Sequence, residues 1–299
     1  MTSPPWPPSP IALPPTGRGG DAGHTSSGSP VRKGGQGGEV AFDALAATYD
    51  TSFTSTPLGT HLREAVWRRL DARFAPGSRV LELACGTGED AIHLAGRGVR
   101  VVATDASAEM VETARRKARA ARLDGSIEVH HLRAEDLAAG EALRGPFNGA
   151  FSDFGGLNCV ADLGAVSRAL AGRLRPGAPA VLCVMGPLVP WEWGWYLGRG
   201  ELRKAFRRLK PGGVAWRGMT VRYPSIGALR RAFAPDFRTL RTSAVGALLP
   251  PTYVEEWIRR HPRFLAGLAR WERRLERMPP LPWLADHYLI ELERRASDA

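Results

Sequence analysis

Val80 to Asp90 (VLELACGTGED) concentrates more potential chemistry than any other stretch of the chain: an aliphatic run, a turn with two glycines, and two acids opening a helical segment. A strand feeding a glycine turn and a helix start lets backbone approach a nucleotide closely, where a Cβ would block contact or a positive φ. Twenty-three residues beyond Glu82, Asp105 ends the next hydrophobic run, VVATD. A carboxylate at that strand tip can accept both hydroxyls of a ribose. Gly86 to Ala91 also fits GxGxxA, the loose nicotinamide or flavin fingerprint. Two features weigh against a dinucleotide. Glu89 and Asp90 put negative charge where a pyrophosphate favours an uncluttered positive helix start. Glu82, inside the first strand, suits a cationic amino group and not a phosphate.

The stretch resembles motif I of the class I S-adenosylmethionine-dependent methyltransferases, in the ExxCGTG form. Asp105 in ATDASAEM resembles motif II, and ETARRKA is similar to the helix that follows it in that family. The cofactor S-adenosyl-L-methionine carries an ammonium, a sulfonium and no phosphate, in keeping with Glu82 and the acidic helix start. The resemblance covers roughly residues 41–185 and the final strand. It implies an α/β, Rossmann-like fold: a seven-stranded, mostly parallel sheet with the last strand antiparallel, plus a helical and aromatic lid insertion. It also implies that Glu82 orients the methionine amino group, that the backbone of Ala84, Gly86 and Gly88 lines the methionine and ribose, and that Asp105 holds the ribose diol. Cys85, Thr87, Ala106 and Ser152 complete the implied cofactor set. Two positions depart from the family pattern. Ala84 stands where the first glycine is usual, and Arg133 in HLRAEDL stands where an Asp usually reads the adenine amino group. Adenine reading then falls to the Ala134 backbone and to Glu135 or Asp136. Near the N-terminus, AATYD resembles a segment that closes over the cofactor, and Tyr49 is a candidate contact or a packed core tyrosine.

Methyl transfer is an in-line displacement that needs an aligned acceptor and, where the acceptor keeps a proton, a base. The fourth aliphatic run ends FSDFGGLNCV, so Asp153 and Phe154 are expected beside the reacting group, with Asp153 the best-placed carboxylate. His287, at the mouth of the last strand, is a second catalytic candidate; the other histidines are scattered. The Asn/Asp-Pro-Pro-Tyr/Phe motif of DNA adenine methyltransferases is replaced by SDFG. Trp191, Trp193, Trp195 and Tyr196 in WEWGWYL offer either aromatic walls for a flat acceptor or a lid helix packed on the core. No His, Asp and Glu cluster has metal-ligand spacing.

These residues need a scaffold, and the surrounding pattern supplies one. Strands are expected at Arg79–Leu83, Arg100–Thr104, Ile127–Leu132, Gly149–Ser152 and Ala180–Val184. The intervening helices are expected at Ala91–Gly96, Ala108–Arg122, Glu135–Leu143 and Leu157–Leu174. That alternation predicts right-handed βαβ units and a parallel sheet covered on both faces. The chain divides into a Pro/Gly-rich tail (1–39), expected to be disordered, a helical cap (40–75), a nucleotide-binding core (76–185), late strands with lid insertions (186–283) and a final strand (284–299). Residues 251–277 read as amphipathic helix broken at Pro262.

The net charge of +11 raises the question of an anionic partner. Only four of the 41 basic residues are lysine, and most arginines are interspersed with acids. The exception is Arg199 to Arg231, where ten Arg or Lys accompany the single acid Glu201. Three widely spaced cysteines suggest neither disulfides nor zinc. No secretory leader or membrane-spanning run is evident, so a cytoplasmic location is expected. The leading reading is methyl transfer to a small-molecule O, N or C acceptor. RNA or protein methylation through residues 199–231, a nicotinamide oxidoreductase and a non-catalytic nucleotide-binding module are the alternatives.

Overall fold

The computed structural model describes residues 42–140, 143–251 and 254–296. The expected disordered tail lies outside the described residues.

Five parallel strands come first: β1 (Arg79–Leu83), β2 (Arg100–Asp105), β3 (Ile127–His131), β4 (Gly149–Ser152) and β5 (Pro179–Met185). The sheet runs β3-β2-β1-β4-β5-β9-β8, with the last strand, β9 (His287–Arg294), antiparallel to β5 and to β8 (Phe237–Val245). Seven strands with one reversed at the end match the expectation. Successive side chains alternate between two hydrophobic layers: Val80, Val101, Phe151 and Val181 face one, while Leu81, Val102, Ala150 and Leu182 face the other. Burial on both faces explains the near-continuous apolar runs of the inner strands, while the edge strand β3 (IEVHH) alternates buried and exposed.

The order reverses between β1 and β4, and their carboxyl ends open the crevice where α/β sheets bind ligands. Helix α1 (Pro57–Arg73), α2 (Glu89–Ala95) and α3 (Ala108–Ala120) pack beside this edge. Thr56 caps α1 and Ser107 caps α3 through their hydroxyls. Two helix expectations change. Glu135–Leu143 shortens to a 3-10 turn, Ala134–Ala139. Leu157–Leu174 divides into a 3-10 turn, Gly156–Cys159, and α4, Leu163–Ala171, because extended Val160 breaks the first and Asp162 caps the second at Ala165 N.

After β5 come α5 (Pro190–Leu197), the one-turn α6 (Leu202–Ala205) and a hairpin of β6 (Val214–Trp216) and β7 (Met219–Val221). Arg217 and Gly218 both have positive φ, the requirement of a two-residue hairpin turn of the primed type. Helix α7 (Ile226–Phe233) precedes β8; α8 (Glu255–Arg260) and α9 (Pro262–Leu275) follow it, broken at His261 as Pro262 predicts.

Candidate active site

A cavity of about 530 Å³ opens at the carboxyl edge of β1, β2 and β4. Ala84, Cys85 and Gly86 form its floor, Asp105, Ala106 and Met110 one wall, and Leu132, Arg133, Ala134 and Glu135 the next. Asp153 and Phe154 come from the end of β4. Tyr49 and Phe42 enter from the N-terminal segment, and Gly218, Met219, Thr220 and Arg222 from the hairpin.

The turn after β1 is shaped for close approach. Gly86 has φ +54°, and a Cβ built on it meets no atom within 4 Å, so it points into free space. Gly88 serves packing: at φ +78°, its Cβ would lie 2.8 Å from Ala114 Cβ. Asp105 holds the turn in place, since its Oδ2 accepts from Gly86 N at 2.8 Å and its Oδ1 from Ser107 N at 2.9 Å. Burial raises its pKa, and those backbone donors, Ser107 first, oppose the rise.

Behind this floor lies an unusual density of buried acid. Glu82 is 1% exposed and its Oε2 has no hydrogen-bond partner. Asp153 is 7% exposed and neither of its carboxylate oxygens has one. Burial, then the charge of Asp90, pushes both well above the usual carboxylate range. The orphaned oxygens of Glu82 and Asp153 suit a cationic ligand, which would supply the missing partner. Glu82 itself is not on the cavity wall; it sits one layer beneath.

Sequence reasoning named neither Arg63 nor Asp90 as a site residue. Arg63 Nη1 donates to both oxygens of Asp90, at 2.7 and 2.6 Å, and Trp67 Nε1 donates to Oδ1 at 2.7 Å. Both Arg63 and Asp90 line the cavity, and the guanidinium carbon lies 5.1 Å from the centre of the Phe154 ring. Arg63 occupies the buried face of α1 with Gly59, Leu62 and Val66, and a charge in such a stripe is the signal that could have exposed it. Glu89, in turn, pairs with Lys117 at 2.7 Å. The acidic helix start is therefore compensated by two cations, and the buried carboxyls of Glu82 and Asp153, more than helix-start charge, distinguish a cationic ligand from a pyrophosphate.

The N-terminal segment is tied over the cavity. Asp50, in a π-helical turn (Asp50–Thr54), accepts from Thr87 Oγ1 and Lys117 Nζ, each at 2.7 Å. Asp43 Oδ1 accepts from Ser107 Oγ at 2.5 Å. Tyr49, buried here, has its hydroxyl pushed up to about 12 by desolvation.

Several expected residues stand elsewhere. Thr87 is buried in its contact with Asp50, and Ser152 is buried with no partner for its hydroxyl. Asp136 faces outward, 3.8 Å from Arg133, and does not line the cavity, whereas Glu135 does. His287 lies behind Phe154, its ring centre 5.6 Å away, with Nδ1 3.0 Å from Asp286 Oδ2 but not aligned for a hydrogen bond. Trp191, Trp193, Trp195 and Tyr196 do not line the cavity. They lie on α5, where Trp193 packs on Phe206 and Arg199 covers Trp195. The hairpin supplies the cavity wall instead. Asn158, fully buried, stitches it to β5: Nδ2 donates to Met185 O and Arg222 O, and Oδ1 accepts from Met185 N.

Of the ten basic residues between 199 and 231, six are exposed, and two, Arg207 and Arg208, turn inward. Arg207 and Arg208 both pair with buried Glu192 at 2.7 Å, and Arg208 also reaches Asp286 at 2.6 Å. Among the described residues no group of three or more His, Cys, Asp or Glu could hold a metal, and no helix is long and apolar enough to cross a membrane.

Residues 80–177 match the family model described as a methyltransferase domain. A demethylmenaquinone methyltransferase of Beutenbergia cavernae is 37% identical over 171 residues, covering 52% of this chain and 62% of that protein. A tRNA 5-carboxymethoxyuridine methyltransferase of Escherichia coli is 33% identical over 141 residues, covering 46% and 52%. The chain thus spans less than two thirds of the length of these curated relatives. A solved structure from work on conversion of a disulfide bond into a thioacetal group during echinomycin biosynthesis covers 87% of this chain and 93% of that one, with 20% identity and a TM-score of 0.51. That likeness concerns the fold.

Proposed function

We propose that this chain, a class I S-adenosylmethionine-dependent methyltransferase by its core, transfers the cofactor's methyl group to a small organic acceptor bound between Asp153 and the hairpin. One observation carries the reading: Asp153, with neither carboxylate oxygen hydrogen-bonded, lines a cavity that also holds Asp105 and a Cβ-free Gly86, and Glu82, buried with its Oε2 unpaired, lies beneath it. That donor set fits a cationic nucleoside without phosphate.

Asp105 would accept the ribose hydroxyls while its backbone bonds to Gly86 and Ser107 keep it oriented. Met110, Leu132 and Ala134 offer apolar faces to the adenine, with Glu135 as the acceptor for its amino group. Glu82 balances the methionine ammonium, and Arg63, already fixed by Asp90, offers its guanidinium to the carboxylate. Bound there, the cofactor supplies an electrophilic methyl carbon on a sulfonium. Asp153 orients the acceptor and takes its proton at Oδ, its raised pKa making it a stronger base than an ordinary carboxylate. Phe154 and Met219 exclude water from the same space.

An aromatic or quinol-like acceptor is favoured over RNA, because Tyr49, Phe154 and Met219 line the cavity with apolar and aromatic surface. Two arginines of the basic stretch, Arg207 and Arg208, are also held inward by Glu192 and Asp286. The test incubates the protein with methyl-labelled cofactor and either a panel of hydroquinones and phenols or bulk tRNA. Label in the small molecules supports the proposal; label in tRNA alone overturns it.

A further inference from the structure

Helix α9 carries two unlike faces. Leu265 and Glu272 are buried, and Glu272 accepts from the backbone of Gly246, Leu248 and Leu249. The face turned away from this stripe is polar, with Arg263, Arg270 and Arg274, as on an ordinary amphipathic helix. Along its border with the buried stripe, however, Phe264 and Trp271, two turns apart, are 50% and 56% exposed. Trp257 on α8, 49% exposed, meets Phe264 edge to face at 5.6 Å and extends the row.

Arginine surrounds these rings. Arg260 and Arg274 lie four residues before Phe264 and three after Trp271, and the Arg274 guanidinium is 5.6 Å from the centre of the Trp271 ring. Arg259, Arg263, Arg270, Arg273 and Arg277 are also exposed. Among the acids of these helices whose side chains are described, Glu272 is turned inward and Glu256 pairs with Arg260, while Glu276, just after α9, pairs with Arg68 and Arg69 of α1. The exposed surface of these helices therefore carries a row of aromatic rings with arginines beside it.

We propose that the α8–α9 face docks on an anionic lipid surface, lying in the headgroup plane with Trp257, Phe264 and Trp271 inserted. Aromatic rings flanked by arginine on one helix face suit an interface that is apolar below and negatively charged above. A second copy of the chain is a poorer occupant, since a two-fold contact would set these arginines against their own copies. Single-stranded nucleic acid also combines stacking with positive charge, but it is held in a groove. These rings lie on an exposed helix surface and do not line the cavity. The inference is independent of the reaction proposed above.

Sedimentation with vesicles tests it, using the full chain with phosphatidylcholine alone or with roughly 30% phosphatidylglycerol. Binding should be about tenfold or more stronger on the anionic vesicles and should fall as salt rises, because headgroup attraction is screened. A Trp257→Ser, Phe264→Ser, Trp271→Ser variant should lose about tenfold or more, through lost ring insertion. A second variant, Arg263→Gln, Arg270→Gln, Arg274→Gln, should lose the preference for anionic lipid. Both should retain S-adenosylhomocysteine binding, which reports the fold. The proposal is overturned if the parent ignores anionic vesicles, or if the ring variant binds them as the parent does. A parent dimer that the ring variant converts to monomer would assign the face to a second copy. RNA binding lost in both variants, without vesicle binding, would assign it to nucleic acid.

Discussion

The methyl group of Ala84 occupies the space that a side chain at Gly156 would need: a Cβ built on Gly156 would fall 2.3 Å from Ala84 Cβ. Ala84 departs from the family's glycine and holds φ +56°, a left-handed conformation uncommon for a residue with a side chain. The departure is absorbed by a second glycine, 72 residues later, on the loop that ends β4.

That pairing makes a double-mutant cycle informative. Gly156→Ala should destabilise the protein by about 1–3 kcal/mol through overpacking against the β1 turn. Ala84→Gly should be near neutral, because relief of the positive φ offsets the added freedom of the unfolded chain. The double variant should recover most of the loss, giving a coupling energy above about 0.5 kcal/mol in urea unfolding. Strict additivity would mean that the two loops do not touch.

Asp105 is expected to do two jobs at once. Asp105→Ala should weaken S-adenosylhomocysteine binding by about tenfold or more, since charged hydrogen bonds to the ribose are lost. It should also lower stability by about 1–3 kcal/mol, because the Gly86 and Ser107 amides lose their acceptor. Calorimetry and chemical unfolding separate the two effects. Intact cofactor binding in a folded Asp105→Ala protein would move the ribose site elsewhere.

How much of this was legible beforehand depends on whether a partner is near in sequence. Glu82, the glycine turn and Asp105 are encoded by one βαβ unit, so spacing and strand pattern reveal them. Asp90 was visible as an acid at a helix start, but its partner Arg63 is 27 residues away on a different helix. Its role depends on packing that periodicity does not report. The same holds for Asn158, whose three bonds reach β5 and the residue after β7. WEWGWYL left two readings open, aromatic walls or a lid helix, because ring density does not say which way a helix faces. On α5 Trp193 packs on Phe206 and none of the rings lines the cavity.

Glu82 gives cofactor binding a pH dependence of definite sign. Burial, then Asp90 and Asp153, raises its pKa in the empty protein, and a bound ammonium favours its ionised form. Binding should therefore release a proton, and affinity should rise with pH until Glu82 is ionised without ligand. Calorimetry of S-adenosylhomocysteine in two buffers of different ionisation enthalpy would detect the release. Glu82→Gln should bind more weakly and lose most of this proton release, leaving whatever other groups contribute. Equal release in both proteins would remove Glu82 from the site.

For Asp153 the same reasoning applies to stability. Its folded pKa lies above the ordinary 3.8 because of burial, with Asp90 adding to the shift. The protonated acid thus favours folding at pH below the unfolded value, and that contribution is lost as pH rises through the folded value. Asp153→Asn should therefore melt at a higher temperature than the parent at neutral and alkaline pH, with the gap closing toward roughly pH 4, near the ordinary carboxyl value. The same variant should lose about 100-fold in turnover, as a general base is removed. A gain in stability without loss of activity would leave Asp153 with a structural role only.

Arg63 and Asp90 provide the sharpest contrast between structure and chemistry. Removing one member of a buried ion pair strands the other, so Arg63→Met should destabilise the fold by about 3–5 kcal/mol. Arg63→Met with Asp90→Asn should recover much of that, because no buried charge is then left unpaired. If the guanidinium also holds the methionine carboxylate, this refolded double variant should still bind S-adenosylhomocysteine weakly, while adenosine affinity stays near that of the parent. Comparing the two ligands separates the roles, since adenosine has no carboxylate to lose. Equal losses for both would confine Arg63 to supporting the cavity floor.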